Sequence, residues 1–180
     1  MEKFKKITEE NFEEFAEGKY SDWLTDRVQT FLIGNNAEYL ECLHESLIDC
    51  ESPMEQLLSL ELEVGQLQAI HYFNPYIDII GVEKQVEITT KKNKYRVDFL
   101  IPVIYKNQEN ICFVIECDGY EFHQKTKKQV EADNKRTRDL QEAGYEVIRF
   151  SGTEIYHRPG ECAWTVKNII LSKCKYIKDE

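Results

Sequence analysis

The chain has 180 residues and a net charge of -10, with 42% hydrophobic and 31% charged side chains. This composition is typical of one globular domain, and no stretch reaches the roughly 18 apolar residues that a membrane-spanning helix needs. The opening MEKFKKITEENFEEF lacks the apolar core of a signal peptide, so we expect a cytoplasmic protein with no membrane segment.

The first third of the chain is predicted to be helical and acidic. Helical spacing of apolar residues, broken at Gly18 and Gly34, predicts three helices before about position 49. Sixteen acidic and five basic residues precede position 66, whereas 17 acidic and 18 basic residues follow it. We therefore predict an acidic helical extension over residues 1–50 and a separate domain over residues 51–180. The extension is a candidate surface for a protein partner or for a homodimer.

A fourth helix is predicted to begin beside Ser52. Ser52, Pro53 and Glu55 have the spacing of a capping box with proline at the first helical position. Apolar residues continue at helical spacing, so we expect this helix to run to about Ala69.

The period of the pattern then changes to that of β-strands. Alternating or continuous apolar runs predict four strands, separated by polar turns and by one charged helix. These elements are strands at 82–90, 95–105 and 111–115, a helix at 126–143, a strand at 145–150 and a final helix after position 159. The order α-β-β-β-α-β predicts an α/β fold with a mixed four-stranded sheet flanked by helices.

Three carboxylates occupy positions where these strands should be apolar. Asp98 interrupts the second strand, and Glu116 and Asp118 end the third, two residues apart and therefore on one face. If the two strands are neighbours, the carboxylates converge and repel one another. A divalent cation such as Mg²⁺ or Mn²⁺ would offset that repulsion and would support phosphodiester hydrolysis. The alternative is that these acids end strands in solvent, and the Asp-Gly turn pair favours this for Asp118.

Other side chains could serve the same chemistry. His123 could act as a general acid or base, or equally as a surface or helix-capping histidine. The capping box accounts for Glu55, and a catalytic role would require its helix to face the carboxylates. Six basic residues near the charged helix are candidate nucleic-acid contacts, although a solvated basic face explains each cluster as well. They are Lys125, Lys127, Lys128, Lys135, Arg136 and Arg138.

The spaced motifs of the second half resemble a known family. They comprise Gln85, Tyr95–Phe99, Val114–Gly119 with His123, Asp133, Arg136, Leu140, Gly144 and Val147–Phe150. In this order they resemble the Vsr-like (very-short-patch-repair-like) branch of the PD-(D/E)XK, or restriction-endonuclease-like, superfamily. The resemblance extends from Ser52 to Phe150, and it implies an αβββαβ nuclease core with a metal-dependent activity.

The resemblance also implies roles for individual residues. Asp98 corresponds to a metal-binding aspartate, and Glu116 to the acidic position of the family's Glu-x-Lys motif. Asp118 replaces the lysine of that motif, so the role of the lysine is unfilled or moved elsewhere. His123 corresponds to a histidine that Vsr-like enzymes use near the scissile phosphate, and Glu55 to a glutamate of the first core helix.

Two functions are compatible with these residues. The first is an endonuclease dependent on Mg²⁺ or Mn²⁺ that cleaves nucleic acid, with DNA as the expected substrate, in repair, restriction or defence. The second is a catalytically inactive nuclease fold that binds nucleic acid or protein. The missing lysine and the acidic extension favour the second, and the retention of the carboxylates with His123 favours the first.

Overall fold

The computed structural model describes residues 47–67, 70–106, 110–119 and 126–175, together with the isolated positions 18 and 25. Most of the predicted extension over residues 1–50 lies outside the described residues, as do His123 and Lys125. Within the described ranges, no helix combines the length and the apolar character that crossing a membrane requires.

The helix that follows Ser52 begins as its capping signature predicts. Helix α1 spans Pro53–Leu60, and Ser52 Oγ accepts a hydrogen bond from the Glu55 amide at 3.3 Å. The helix changes type earlier than the predicted end at Ala69, because the chain widens into a π-helical segment at Glu61–Gln66. Within this segment Glu63 pairs with Lys84, whose side chain is 3% exposed and therefore needs a buried counter-charge.

One mixed sheet of five strands forms the centre of the described part of the chain. The elements after the π-helical segment are α2 (Ile70–Phe73), β1 (Ile77–Ile79), β2 (Glu83–Thr89), β3 (Lys94–Tyr105), β4 (Asn110–Asp118), α3 (Lys127–Glu142), β5 (Glu146–Ser151), α4 (Gly152–His157) and α5 (Pro159–Lys175). β3 pairs antiparallel with β1, β2 and β4, and β4 pairs parallel with β5 across the α3 crossover. The predicted fold class is confirmed, with β1 as an additional short strand.

Apolar residues pack on both faces of this sheet. A larger cluster joins β3 and β4 to α1, α4 and α5, and a smaller cluster joins β2, β3 and β4 to α3 through Leu140. Residues two apart on a regular strand share a face. Val97 nevertheless belongs to the smaller cluster and Phe99 to the larger one. The alternation of β3 side chains between the two faces of the sheet is therefore interrupted at Asp98, the residue between them. We call this interruption the exchange of faces in β3.

The turn between β2 and β3 is anchored to the C-terminal half of α3. The buried Asp139 carboxylate accepts hydrogen bonds from the Tyr95 hydroxyl at 2.7 Å and from the Asn93 amide at 3.0 Å. Lys92 donates to Glu142 of the same helix at 2.6 Å. These contacts hold the basic turn and α3 on the same side of the sheet.

Candidate functional site

A row of polar side chains crosses the sheet where β3 exchanges faces. The pairing registers place Gln85 of β2 and Glu116 of β4 on either side of Asp98. Gln85 has a positive φ of 52°, and the regular pairing of β3 with β4 stops at Phe99. At this point the Cys117 amide donates a hydrogen bond to Asp98 Oδ2 at 2.6 Å. The Asp98 carboxylate therefore accepts a hydrogen bond from the β4 backbone at a point where the two strands diverge and their backbones no longer pair.

Glu116 is buried beneath α3 and pairs with an arginine of that helix. The residue is 5% exposed, and Arg136 Nη2 donates to its Oε1 at 2.8 Å. The same Nη2 donates to the backbone carbonyl of Arg96. Arg136 thus lies inside the site, unlike the other predicted basic residues of α3 that the structure describes. Those residues are exposed, and they are Lys127, Lys128, Lys135 and Arg138.

The surroundings of Asp98 and Glu116 disfavour the ionised form of both carboxylates. Burial raises the pKa of Glu116 to about 7, the negative charge of Asp98 adds to this rise, and Arg136 and Arg149 oppose it. Burial also raises the pKa of Asp98; the Cys117 amide opposes that rise, and the charges of Glu55 and Asp118 add to it. A bound cation would remove this penalty, because it favours the ionised form of both carboxylates.

Glu55 lies next to this row and also serves its own helix. Its carboxylate accepts hydrogen bonds from the Ser52 hydroxyl at 2.6 Å and from the Glu51 amide at 2.9 Å. Gln85, the neighbour of Asp98 on β2, donates to the same carboxylate at 2.7 Å. The helix therefore does present Glu55 towards the strand carboxylates, while capping contacts use much of its hydrogen-bonding capacity.

Asp118 is held on the β5 side of the site. Arg149 pairs with it in a two-bond arrangement in which Nε donates to Oδ2 at 3.2 Å. Arg149 also donates to Thr137 at 3.4 Å and lies 4.0 Å from Asp133. These side chains line a cleft of about 400 Å³ between α3 and β5, whereas Asp98 and Glu116 do not line it. We therefore place the candidate site at the neighbouring carboxylates Asp98 and Glu116, and not in this cleft.

The structure brings two of the three predicted metal ligands into one place. Asp98 and Glu116 are neighbours. Asp118 lies in the cleft beside α3 and is paired with Arg149. In the described ranges, no group of three His, Cys, Asp or Glu side chains is arranged to hold a metal ion. Two carboxylates still fit Mg²⁺, which commonly binds one or two carboxylates and completes its shell with water and substrate phosphates.

Sequence reasoning named Gln85 and Arg149 only as parts of the family motif and assigned neither a role. In the structure Gln85 binds Glu55, and Arg149 pairs with Asp118. Arg149 left a signal of the same kind as Asp98, since it interrupts the apolar run Val147–Phe150. Gln85 appeared in the family resemblance, but its contact with Glu55 depends on the positive φ that turns its side chain towards α1.

Comparison with models of protein families identifies a family that this chain matches. The family model described as REase_MTES_1575 matches residues 77–170, from the start of β1 into α5, which is just over half of the chain. No curated protein and no solved structure matches the chain.

Proposed function

The chain belongs to the restriction endonuclease-like family REase_MTES_1575, and from that membership and its paired carboxylates we propose that it is a metal-dependent endonuclease acting on DNA. The observation that supports this most strongly is the position of the half-buried Asp98 beside the buried Glu116, where two strands diverge. Burying two like charges together is unfavourable unless a ligand compensates for them. The Vsr-like assignment is part of the proposal, and it rests on the whole series of spaced motifs from Gln85 to Phe150, His123 included.

Asp98 and Glu116 are the residues that we assign to Mg²⁺ or Mn²⁺. The Cys117 amide fixes the Asp98 carboxylate by donating to Oδ2, and a carboxylate held in this way could bind the cation. When bound, such a cation polarises a phosphoryl oxygen and lowers the pKa of a bound water. Asp118 would join the pair only after leaving Arg149, and we assign it a third, weaker position. His123 is the candidate that gives a proton to the leaving oxygen or takes one from the attacking water.

The DNA backbone is expected to bind the flank of α3 that faces the β2–β3 turn. Lys128 and Lys135 are exposed and seven residues apart, so they lie on one flank of the helix. Lys135 precedes Asp139 by one helical turn, and Asp139 anchors the turn that contains Lys91 and Lys92. Exposed lysines from two elements therefore lie side by side, which favours a phosphate-binding surface.

Replacing Lys128 and Lys135 together with alanine is expected to weaken DNA binding and reduce its dependence on salt. Each lost phosphate contact should reduce the slope of log K against log salt by about 0.9 for duplex DNA. Fluorescence anisotropy with a labelled duplex between low and moderate salt measures this slope. The matched control is Lys173→Ala, which removes one charge from α5 across the sheet and should leave the slope unchanged. An unchanged slope in the double variant would place the DNA elsewhere.

Cleavage itself is tested with plasmid DNA, single-stranded DNA and RNA of similar length, each incubated with Mg²⁺, Mn²⁺ or EDTA. We expect cleavage of DNA in either metal and none in EDTA. Cleavage of RNA alone would change the substrate class. Binding without cleavage of any substrate would support the alternative, a catalytically inactive nuclease fold, which the arginine pairing of both Glu116 and Asp118 favours.

A further inference from the structure

In the part of the chain that the structure describes, one buried hydrogen-bond donor of the site has no acceptor. Arg136 Nε is buried and has no hydrogen-bond partner among the residues that the structure describes. Folded proteins satisfy nearly all buried donors, so an unsatisfied one beside a candidate site suggests a ligand that supplies the acceptor.

The rest of the Arg136 guanidinium is firmly positioned. Nη2 is held by Glu116 and by the carbonyl of Arg96, and the guanidinium carbon lies 5.8 Å from the centre of the Tyr95 ring. Tyr95 is in turn fixed by its hydrogen bond to Asp139. The guanidinium is therefore preorganised with its free Nε next to the carboxylate that we assign to the metal.

The other positive side chains near the strand carboxylates are less suited to meet a phosphate. Arg149 is engaged by Asp118, by Thr137 and, more distantly, by Asp133. Lys84 is directed to Glu63 on the α1 side of the sheet. The lysines of α3 that the structure describes are exposed rather than directed into the site. An oxyanion that reaches Asp98 and Glu116 therefore meets Arg136 as the cation already in place.

We propose that Arg136 binds the scissile phosphate through Nε and so replaces the lysine whose motif position is occupied by Asp118. This inference rests on the proposed nuclease function and extends it by naming the cation. Arginine suits the task because its guanidinium keeps its charge, and Nε can donate one charge-assisted hydrogen bond to a phosphate oxygen while Nη2 keeps its two acceptors. Its positive charge offsets the repulsion between the substrate phosphate and the two carboxylates. It also stabilises the charge that develops on the phosphoryl oxygens during hydrolysis.

The direct test follows the Nε–H resonance of Arg136 by NMR while an unlabelled DNA duplex is added in EDTA. Arg136→Lys lacks this resonance and so assigns it. The proposal predicts that the resonance shifts and becomes protected from exchange with solvent when DNA binds. A resonance that stays unchanged at saturating DNA would overturn the proposal. This measurement needs no catalysis, so it remains decisive if the protein cleaves nothing.

Cleavage provides the second test. Arg136→Ala should lower the rate constant for cleavage by about 100-fold, the usual effect of removing one donor that stabilises a transition state. Added guanidinium at millimolar concentration should restore part of the lost rate in this variant and none in Asp98→Asn. The control Arg158→Ala removes an exposed arginine paired with Glu161, and its rate should match the wild type. Full activity of Arg136→Ala would refute the assignment, and an inactive wild type would refute the nuclease function alone.

Discussion

Asp98→Asn is expected to lower the rate of metal-dependent DNA cleavage by about 1,000-fold, which corresponds to about 4 kcal/mol of transition-state stabilisation. Asparagine has nearly the shape of aspartate, and its side-chain oxygen can accept the hydrogen bond that the Cys117 amide now donates to Asp98. The substitution therefore removes a charged metal ligand and retains the link between β3 and β4. Plasmid cleavage in Mg²⁺ and Mn²⁺ measures the rate, and isothermal calorimetry with Mn²⁺ measures the loss of metal binding.

The control for this experiment is Asp78→Asn. Asp78 is exposed on β1 and pairs in register with Ile104, away from the carboxylate row. It should retain the full rate, and both variants should keep the wild-type melting temperature within a few degrees. Cleavage by Asp98→Asn at the wild-type rate would show that the metal, if there is one, is bound elsewhere.

Glu116→Gln is expected to stabilise the metal-free protein by up to about 3 kcal/mol at pH 8, the free energy of a pKa raised from 4.5 to about 7. Burial is the main cause of that rise, so the folded state disfavours the ionised carboxylate. Glutamine avoids this penalty, and its amide oxygen can still accept the hydrogen bond of Arg136. The same variant should lose cleavage, as expected where a functional group is retained at the expense of stability.

The dependence of this effect on pH follows from proton binding. Between pH 4.5 and 7 the folded wild type binds more protons at Glu116 than the unfolded chain does, so its stability falls as pH rises through this range. Below pH 4.5 both states bind the proton, and the two proteins should be equally stable. Above pH 7 the difference should be constant. Urea unfolding in EDTA at several pH values measures it, and parallel curves for the two proteins would contradict the raised pKa.

Much of the fold was predictable because its signals are local. The apolar runs around Phe99 and Phe113 predicted two strands, which the structure pairs as neighbours, and Gly144 marked the end of α3. The π-helical segment was not predictable, because its apolar spacing does not distinguish it from an α-helix. The ion pair of Glu63 with Lys84 was not predictable either, since the two residues are far apart in sequence. The short strand β1 has too few residues to show a period.

The carboxylates of the candidate site were predictable from the sequence, whereas its positively charged side chains were not. Asp98 and Glu116 are conspicuous because each interrupts or ends an apolar strand. Arg136 is one of several basic residues on a charged helix, and the pattern alone does not tell which of them faces the sheet. That choice depends on how α3 is rotated, and Leu140, one turn later, sets the rotation by entering the smaller cluster. Arg136 follows Leu140 inwards for this reason.

The exchange of faces in β3 links the carboxylates to both hydrophobic clusters. Val97 packs in the layer that contains α3, and Phe99 packs in the layer that contains α1 and α5. Asp98 lies between them, so we expect sliding of one layer past the other to shift its carboxylate relative to Glu116. The geometry of the candidate site should therefore be sensitive to packing defects at a distance. A cavity at Leu140 or at Leu57 should reduce turnover in molecules that are still folded, although neither side chain belongs to the site.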